Sequence, residues 1–514
     1  MKLINTKYQI LLGLLISIML SVSCQNPKQH LIKKLEKAEN SKDINLIESI
    51  FADNVILYTP DLMPINGKAG VVSIYNFIFS KHDFEFVKYI TDSIYVEQNK
   101  HIEIGISIIK KIGQPADTNK FKVVFQQYGR EYKVTEISFG EDEDIKRELP
   151  KLLNPTGKYK VGQTTYFYNK AKANNNRLLS FQIWYPTQST NAKTIYQSKE
   201  VVEASANFLG FPLFLVNYFS LIKSNSFSNV LAFPNKKFPL LLYNHGYGGF
   251  TSVYQTVFED LASNGYIVVS IAHENESALF ITEDGKVIPN NPENTFYKSR
   301  SPELNGSKIN EYQSVILNSD NLNENQKAYE KLIELSPLHN ESTRLWQSDT
   351  KAVYMKLVEL NKTDINLNGA FDFESVGIFG HSVGGATAGQ LGFENDFIKA
   401  GINLDGFQFG DLINNRLKIP FMFVSGNQEG NRYLRASTFI DKSEADCYQV
   451  AIKGFTHSSF TDLEYFLQGN SMMIELQREL IRKFFDKYLK NENINLKDIE
   501  SKYENLTLNE NNQP

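Results

Sequence analysis

The sequence predicts two folded parts in one chain: a small α+β domain at residues 30–145, then a larger α/β domain at 155–490 built on a mostly parallel sheet. Three observations carry that expectation. The chain has 514 residues, more than one ordinary core accommodates. The hydrophobic pattern changes near Pro155, from short alternating runs to apolar runs separated by helical stretches. Finally, the apolar run Val376-Gly377-Ile378-Phe379 passes through Gly380-His381-Ser382-Val383-Gly384 into the small-residue segment Gly385-Ala386-Thr387-Ala388-Gly389, which reads as a strand turning sharply into a helix.

Hydrophobic residues make up 42% and charged residues 22%, a globular composition, and a net charge of -4 gives no reason to invoke nucleic acid. Residues 1–23 read as a signal peptide: Lys2 and Lys7 precede an apolar core, Ile10 to Val22, too short to span a bilayer as a mature helix. Residues 24–29 form a short polar tether. Leu20-Ser21-Val22-Ser23-Cys24 resembles a bacterial lipobox, departing from it at Ser21, where an aliphatic residue is usual. That resemblance implies cleavage before Cys24, lipidation of Cys24 and a lipid-anchored protein of the bacterial cell envelope; the alternative is an ordinary signal peptide. Cys447 is the other cysteine, so no intrachain disulfide framework survives maturation.

In the first domain, Leu31, Leu35 and Ala38, then Ile44, Ile47, Ile50 and Phe51, recur at helical spacing. Short alternating runs follow at 55–58, 85–95, 101–110, 120–127 and 132–139, as half-buried antiparallel strands require. Leu46 to Val55, Gly67 and a helix near Val71–Phe79 resemble the cone-shaped SnoaL-like, or ketosteroid-isomerase-type, fold over residues 30–140. Asp61, His82, Asp83 and His101 are candidate pocket groups there, and solvated positions are the plainer reading, so the domain is expected to be a non-catalytic accessory. Charge-rich 141–155 reads as a link.

Beyond it the candidate strands are 178–184, 238–243, 266–272, 375–379, 400–404, 419–425 and 447–452, with a closing amphipathic helix at 476–489 and a polar tail at 491–514. Two insertions interrupt this rhythm. Phe208–Ile222 is apolar and aromatic, read as a buried helix or a lid; Asn275–Arg344 is long and polar, read as a lid or mobile loop.

A serine at a strand-to-helix elbow needs a base and an oriented acid to become a nucleophile, in the chain order Ser, acid, His. Of the eight histidines only His457 follows Ser382, in a loop after the strand ending at Ile452. For the acid, Asp405 ends the strand Ala400–Leu404 and Glu429 follows the next one. A carboxylate beside Leu404 and Phe407 needs a partner, whereas Glu429 sits in a polar turn and can be solvated, which favours Asp405. The N–H of Val383 and that of Tyr247, in the glycine-rich turn His245-Gly246-Tyr247-Gly248-Gly249 about 135 residues before the elbow, are candidate oxyanion donors.

From about Gly157 to Asp462 these residues resemble the platelet-activating-factor acetylhydrolase group of serine esterases. The motifs are Gly157-Lys158-Tyr159-Lys160-Val161-Gly162, Trp184-Tyr185-Pro186, His245-Gly246, Asp260 to Tyr266, Gly380 to Thr387, Leu404-Asp405-Gly406, and Gly454-x-x-His457-x-x-Phe460-x-Asp462. The resemblance implies an α/β-hydrolase domain with nucleophile Ser382, acid Asp405, base His457 and oxyanion donors Tyr247 and Val383. The segment after Asp405, Phe407-Gln408-Phe409-Gly410, and Val383 after the nucleophile depart from the family pattern, so the shape of an acyl pocket does not follow.

The leading expectation is therefore a membrane-anchored serine carboxylic-ester hydrolase acting through an acyl-enzyme on lipid or short-acyl esters. A hydrolase of other esters, polyesters or peptides is one alternative, and a ligand-binding lipoprotein with a vestigial hydrolase domain is another. No cofactor, metal or nucleic-acid partner is expected, because no His-Glu-x-x-His spacing or nucleotide-binding glycine motif occurs.

Overall fold

The computed structural model describes residues 29–60, 62–140, 148–169, 177–190, 193–291, 293–300, 307–319, 321–394, 396–427, 436–468 and 470–511. The expected signal peptide 1–23, Cys24, the expected tether up to residue 28, Asp61 and Glu429 lie outside the described residues. The chain divides into two compact units, one gathering residues up to Leu149 with Pro212–Tyr218, the other Pro150–Phe211 with everything from Phe219 onward.

The first unit is a six-stranded sheet: β1 (Phe51–Tyr58), β2 (Ile65–Asn66), β3 (Phe84–Glu97), β4 (Lys100–Lys111), β5 (Ala116–Tyr128) and β6 (Glu131–Gly140), in the order β2-β1-β6-β5-β4-β3. Only β1 and β6 run parallel. Helices Gln29–Ser41, Ile44–Ile50 and Gly67–Lys81 bury Leu35, Ile47, Ile50, Val71 and Ile74 in one core with Phe121, Val123 and Ile137 of the sheet. Asp43 caps the second helix by accepting the Leu46 N–H at 3.0 Å, as short acidic side chains do at a helix start. Phe51, expected to continue that helix, instead opens β1; it ends the helical spacing and suits a buried strand position as well.

The buried helix expected at 208–222 does not form. The helix Lys199–Leu209 stops at Gly210, whose φ of 71° is costly for any residue with a Cβ, and Pro212 bars its resumption. Two 3₁₀ turns follow, and Phe214 joins the core of the first unit, its ring 5.4 Å from that of Phe77.

The second unit carries β7 (Lys160–Asn169), β8 (Leu178–Thr187), β9 (Lys193–Ile195), β10 (Lys223–Ser228), β11 (Phe238–Asn244), β12 (Ile267–His273), the separate hairpin β13 (Leu279–Ile281) and β14 (Val287–Pro289), then β15 (Phe371–His381), β16 (Ala400–Leu404), β17 (Phe421–Asn427), β18 (Cys447–Lys453) and β19 (Leu506–Asn511). Eleven of these form one sheet in the order β19-β18-β17-β16-β15-β11-β12-β8-β7-β10-β9. The six from β12 to β18 are mutually parallel and buried on both faces; Leu240, Leu241 and Leu242 are all fully buried, which explains the unbroken apolar runs in the sequence. From β11 the chain steps one way to β12 and the other way to β15, so a crevice opens at the carboxyl ends of β11 and β15, the place where open α/β sheets bind ligands.

Two further expectations are corrected here. Within Asn275–Arg344, the described residues fold as the β13–β14 hairpin, helices Thr295–Lys298, Ser307–Asn318 and Leu322–Leu335, and the start of Pro337–Thr363. Ile309 and Ile316, and Ala328, Tyr329 and Leu332, keep helical spacing inside a polar composition and enter the main core. The polar tail at 491–514 is also folded through Asn511: Leu496 and Ile499 are buried, and β19 pairs antiparallel with β18, placing Leu506 and Leu508 in the interior.

Candidate active site

Register alone brings the expected residues to one edge. Asn244 lies opposite Gly380 and His381 opposite Leu404, so β11, β15 and β16 end side by side. Ser382 then takes a φ of 56°, a left-handed conformation that costs a residue with a side chain about 1–2 kcal/mol. The turn holds because the Ser382 N–H donates to Leu404 O at 2.9 Å, while Ser382 O accepts the N–H of Gly385 at 2.9 Å and of Ala386 at 3.2 Å. A Cβ at Gly384 would collide with the Asn244 carbonyl, and one at Gly406 with the Ser382 carbonyl. Those glycines let three chain segments close around the serine.

Asp405 follows directly on β16, with a φ of 51°, and is 1% exposed. Its N–H donates to Val424 O at 2.7 Å, its Oδ1 accepts the Gly426 N–H at 2.9 Å, and its Oδ2 lies 2.6 Å from His457 Nδ1. A carboxylate takes the proton-bearing nitrogen as its partner, so Nδ1 carries the proton and Nε2 is left as the acceptor. The side chain of His457 is 47% exposed, so the base faces solvent while its orienting acid is buried.

The loop holding His457 is built for rigidity. His457–Phe460 is a 3₁₀ turn with a capping box between Thr456 and Ser459, and Glu464 accepts from the hydroxyls of both. Asp462 is fully buried and accepts from the Thr256 N–H, the Thr256 hydroxyl and the Tyr196 hydroxyl. Burial raises its pKa to about 7, outweighing those hydrogen bonds. The ring of His381 stands 4.5 Å from that of His457, and burial together with the neighbouring His457 holds its pKa well below the usual imidazole value, so it stays neutral.

Val383 is the first residue of the helix Val383–Glu394, and a first-turn N–H has no carbonyl within its own helix and sits at the positive end of the helix dipole. Gly246 lies close enough that a Cβ there would reach the Cβ of Ser382 at 3.3 Å, so the turn carrying Tyr247 borders the serine. Beneath that turn lies a buried polar network not anticipated from the sequence. His245 is fixed at both nitrogens, to Gly246 O and to Ser277 Oγ, each at 2.7 Å, and burial first, then His273, lowers its pKa to about 3. Gly248 N–H donates to Glu276 O at 2.9 Å and Ala278 N–H to Gly249 O at 2.8 Å. The Trp346 indole N–H donates to Glu276 Oε2 at 2.8 Å, and its ring stacks on His273 at 4.0 Å.

His273 reaches Asn244 Oδ1 at 3.0 Å and Asp349 Oδ2 at 3.1 Å, and Arg177 grips Asp349 through two nitrogens. Burial opposes charge on Asp349, but the His273 ring and the Arg177 guanidinium outweigh it and hold that carboxyl below its usual value. One signal was readable: His273 ends a strand at the same sheet edge. Of the network's members, Glu276 and Ser277 fall in 275–344, the stretch read as a lid or mobile loop, while Arg177, Trp346 and Asp349 lie outside it.

Among the described residues no group of three or more His, Cys, Asp or Glu side chains is placed to hold a metal ion. Cys447 is buried and its thiol is pushed up to about 12 by that burial, which makes it unreactive.

Residues 145–485 match the family described as "Platelet-activating factor acetylhydrolase, isoform II". The chain is similar to the platelet-activating factor acetylhydrolase of Cavia porcellus, 25% identical over 326 residues, which is 60% of this chain and 68% of that protein. It is similar to the Bos taurus protein of the same name, 24% identical over 340 residues, 61% of this chain and 69% of that one. Among solved structures it resembles a ferulic acid esterase from Streptomyces cinnamoneus, with a TM-score of 0.52 and 18% identity, covering 70% of this chain and 99% of the esterase. That likeness, with the large mixed sheet, marks the second unit as an α/β-hydrolase fold. Residues 145–485 being two thirds of its length, the chain belongs to the platelet-activating factor acetylhydrolase, isoform II, family.

Proposed function

We propose that the chain is a serine carboxylic-ester hydrolase that works through an acyl-enzyme on Ser382. The observation that carries this reading is the buried Asp405 carboxylate at 2.6 Å from His457 Nδ1, beside a serine on a left-handed elbow. Ser382 Oγ attacks the ester carbonyl carbon as its proton passes to His457 Nε2, and the carbonyl oxygen becomes an oxyanion facing the N–H groups of Val383 and Tyr247. The carbon–oxygen bond to the alcohol then breaks, and His457 returns the proton to the departing alkoxide. Water attacks the acyl-serine with His457 again taking the proton, which releases the acid and restores Ser382. Asp405 holds the ring and stabilises its cation throughout.

The relatives named as platelet-activating factor acetylhydrolases support an ester of a lipid or a short acyl chain as substrate. Gln408, Gly410 and Val383, which depart from the family pattern, bear on acyl length, so rates across a series of p-nitrophenyl esters from acetate upward, with an amide analogue, define the class. A fluorophosphonate probe should label Ser382, and Ser382→Ala should lower ester turnover by about 10⁴-fold or more; wild-type turnover in that variant would refute the mechanism. The same reading includes an anchor at Cys24 and a SnoaL-like accessory role for the first unit. The lipobox resemblance supports the former and the three helices packed on a mostly antiparallel sheet support the latter. Metabolic labelling with an azido fatty acid, lost in Cys24→Ala, tests the anchor.

A further inference from the structure

The first unit holds a cavity of about 260 Å³ that the hydrolase chemistry does not use. Its walls are mainly apolar, with Leu57, Ile74, Phe79, Ile109 and Phe139 among them. His82, Lys111 and Asp117, half-buried or exposed, mark its mouth. Inside, the lining changes character. Glu39 is 7% exposed, and its carboxyl accepts the Tyr75 hydroxyl at 2.7 Å on Oε1 and the Tyr89 hydroxyl at 2.9 Å on Oε2. Tyr75 comes from the helix Gly67–Lys81 and Tyr89 from β3, so two separate elements aim a phenol at one carboxyl. Burial raises the pKa of Glu39 to about 7 against the lowering effect of both phenols. The hydroxyl of Thr59, also on the lining, is buried with no hydrogen-bond partner among the described residues.

A purely structural role does not explain this arrangement. Burying a hydroxyl without a partner is unfavourable, and burying a carboxyl is more so. A core would fill the space with side chains; an apolar enclosure with a few convergent polar atoms is instead what a small-molecule site requires. We infer that this cavity is a binding site for a small, uncharged, mainly apolar molecule bearing one hydroxyl, an alcohol or a phenol, seated with the hydroxyl toward Glu39 and Thr59. The volume lies below the ~300–1,000 Å³ of sites for larger ligands, which limits the occupant to about a dozen non-hydrogen atoms. A hydroxyl suits both polar atoms, since it donates to a carboxyl oxygen and accepts from the hydroxyl of Thr59. A charged ligand would have to leave water for apolar walls.

The test uses the full chain and 2-naphthol, followed by its fluorescence and by calorimetry, with naphthalene and 2-naphthoate as comparisons. Saturable binding at one site is expected, weaker by about tenfold for naphthalene, for 2-naphthoate and in Thr59→Val. Ile78→Trp and Ile109→Trp, at half-buried wall positions, should abolish binding while ester turnover stays at the wild-type level. If neither filling variant folds, as read by thermal melting, the result with Thr59→Val decides. Absence of saturable binding, equal affinity for naphthalene or 2-naphthoate, unchanged affinity in Thr59→Val or in folded filling variants, or loss of binding on fluorophosphonate labelling of Ser382 would each overturn the inference; the last would place the probe in the hydrolase site.

Discussion

At the scale of single residues, the proposed function rests on conformations that ordinary side chains avoid. Ser382 and Asp405 both have φ near +50°, at 56° and 51°, and each is held there by backbone hydrogen bonds to the neighbouring strand. Asn tolerates the left-handed region better than other non-glycine residues, so Asp405→Asn keeps the backbone and changes only the group facing His457. With its Oδ1 kept by the Gly426 N–H, the amide turns Nδ2 toward His457, where it donates to Nδ1, leaves the ring proton on Nε2 and supplies no negative charge to balance the cation. The variant should therefore fold like the parent, with a similar melting midpoint, and lose about 10⁴-fold in kcat; a loss under tenfold would show that Asp405 does not orient the base. These residues were legible because a nucleophile elbow, a strand-end acid and a lone downstream histidine obey a fixed chain order. Asp405 is preferred to Glu429 on burial logic, since a carboxylate beside Leu404 needs a partner; its carboxyl meets His457 and Gly426, while Glu429 lies outside the described residues.

At the scale of elements, the turn carrying Tyr247 is only as rigid as what lies under it. The residues that fix it, Glu276, Ser277 and Trp346, belong to segments whose composition is polar and whose helices show their apolar spacing only once Ile309, Ile316, Tyr329 and Leu332 are known to face the core. That is why this part of the site was unreadable: a composition rich in Asn, Ser and Glu masks a periodicity carried by few residues, and contacts between positions about 70 apart leave no local signature. The central strands were legible because burial on both faces makes them continuous apolar runs. β19 was not, since its alternation covers only Leu506 and Leu508. Trp346→Phe keeps an aromatic ring against His273 but removes the hydrogen bond to Glu276. It should lower kcat by about tenfold through loosening of the turn, with KM little changed, because the oxyanion forms only in the transition state. Steady-state kinetics on p-nitrophenyl acetate check this, and a rise in KM at constant kcat would argue for a substrate-binding role instead.

For the whole molecule, Glu39 in the first unit and Asp462 in the second are, among the described residues, buried carboxyls with pKa raised to about 7. A group that holds its proton more tightly when folded stabilises the fold fully below its unfolded pKa, near 4, and loses that contribution as pH rises through about 7. Melting midpoints should therefore fall between about pH 5 and about pH 8, with Glu39→Gln flattening the dependence for one unit and Asp462→Asn for the other. Calorimetry resolves this, because two units need not melt as one transition. An unaltered slope in both variants would show that neither carboxyl controls it.

The most direct test of the proposed chemistry is to trap its intermediate. The protein is mixed with p-nitrophenyl acetate, quenched in acid within the first turnovers, digested, and the fragment containing Ser382 is weighed. The predicted result is an acetyl group on Ser382, accumulating in a burst and absent from Ser382→Ala. Ester turnover at the wild-type rate with Ser382 unmodified at every quench time, or an acetyl group on another side chain that survives in Ser382→Ala, would contradict it.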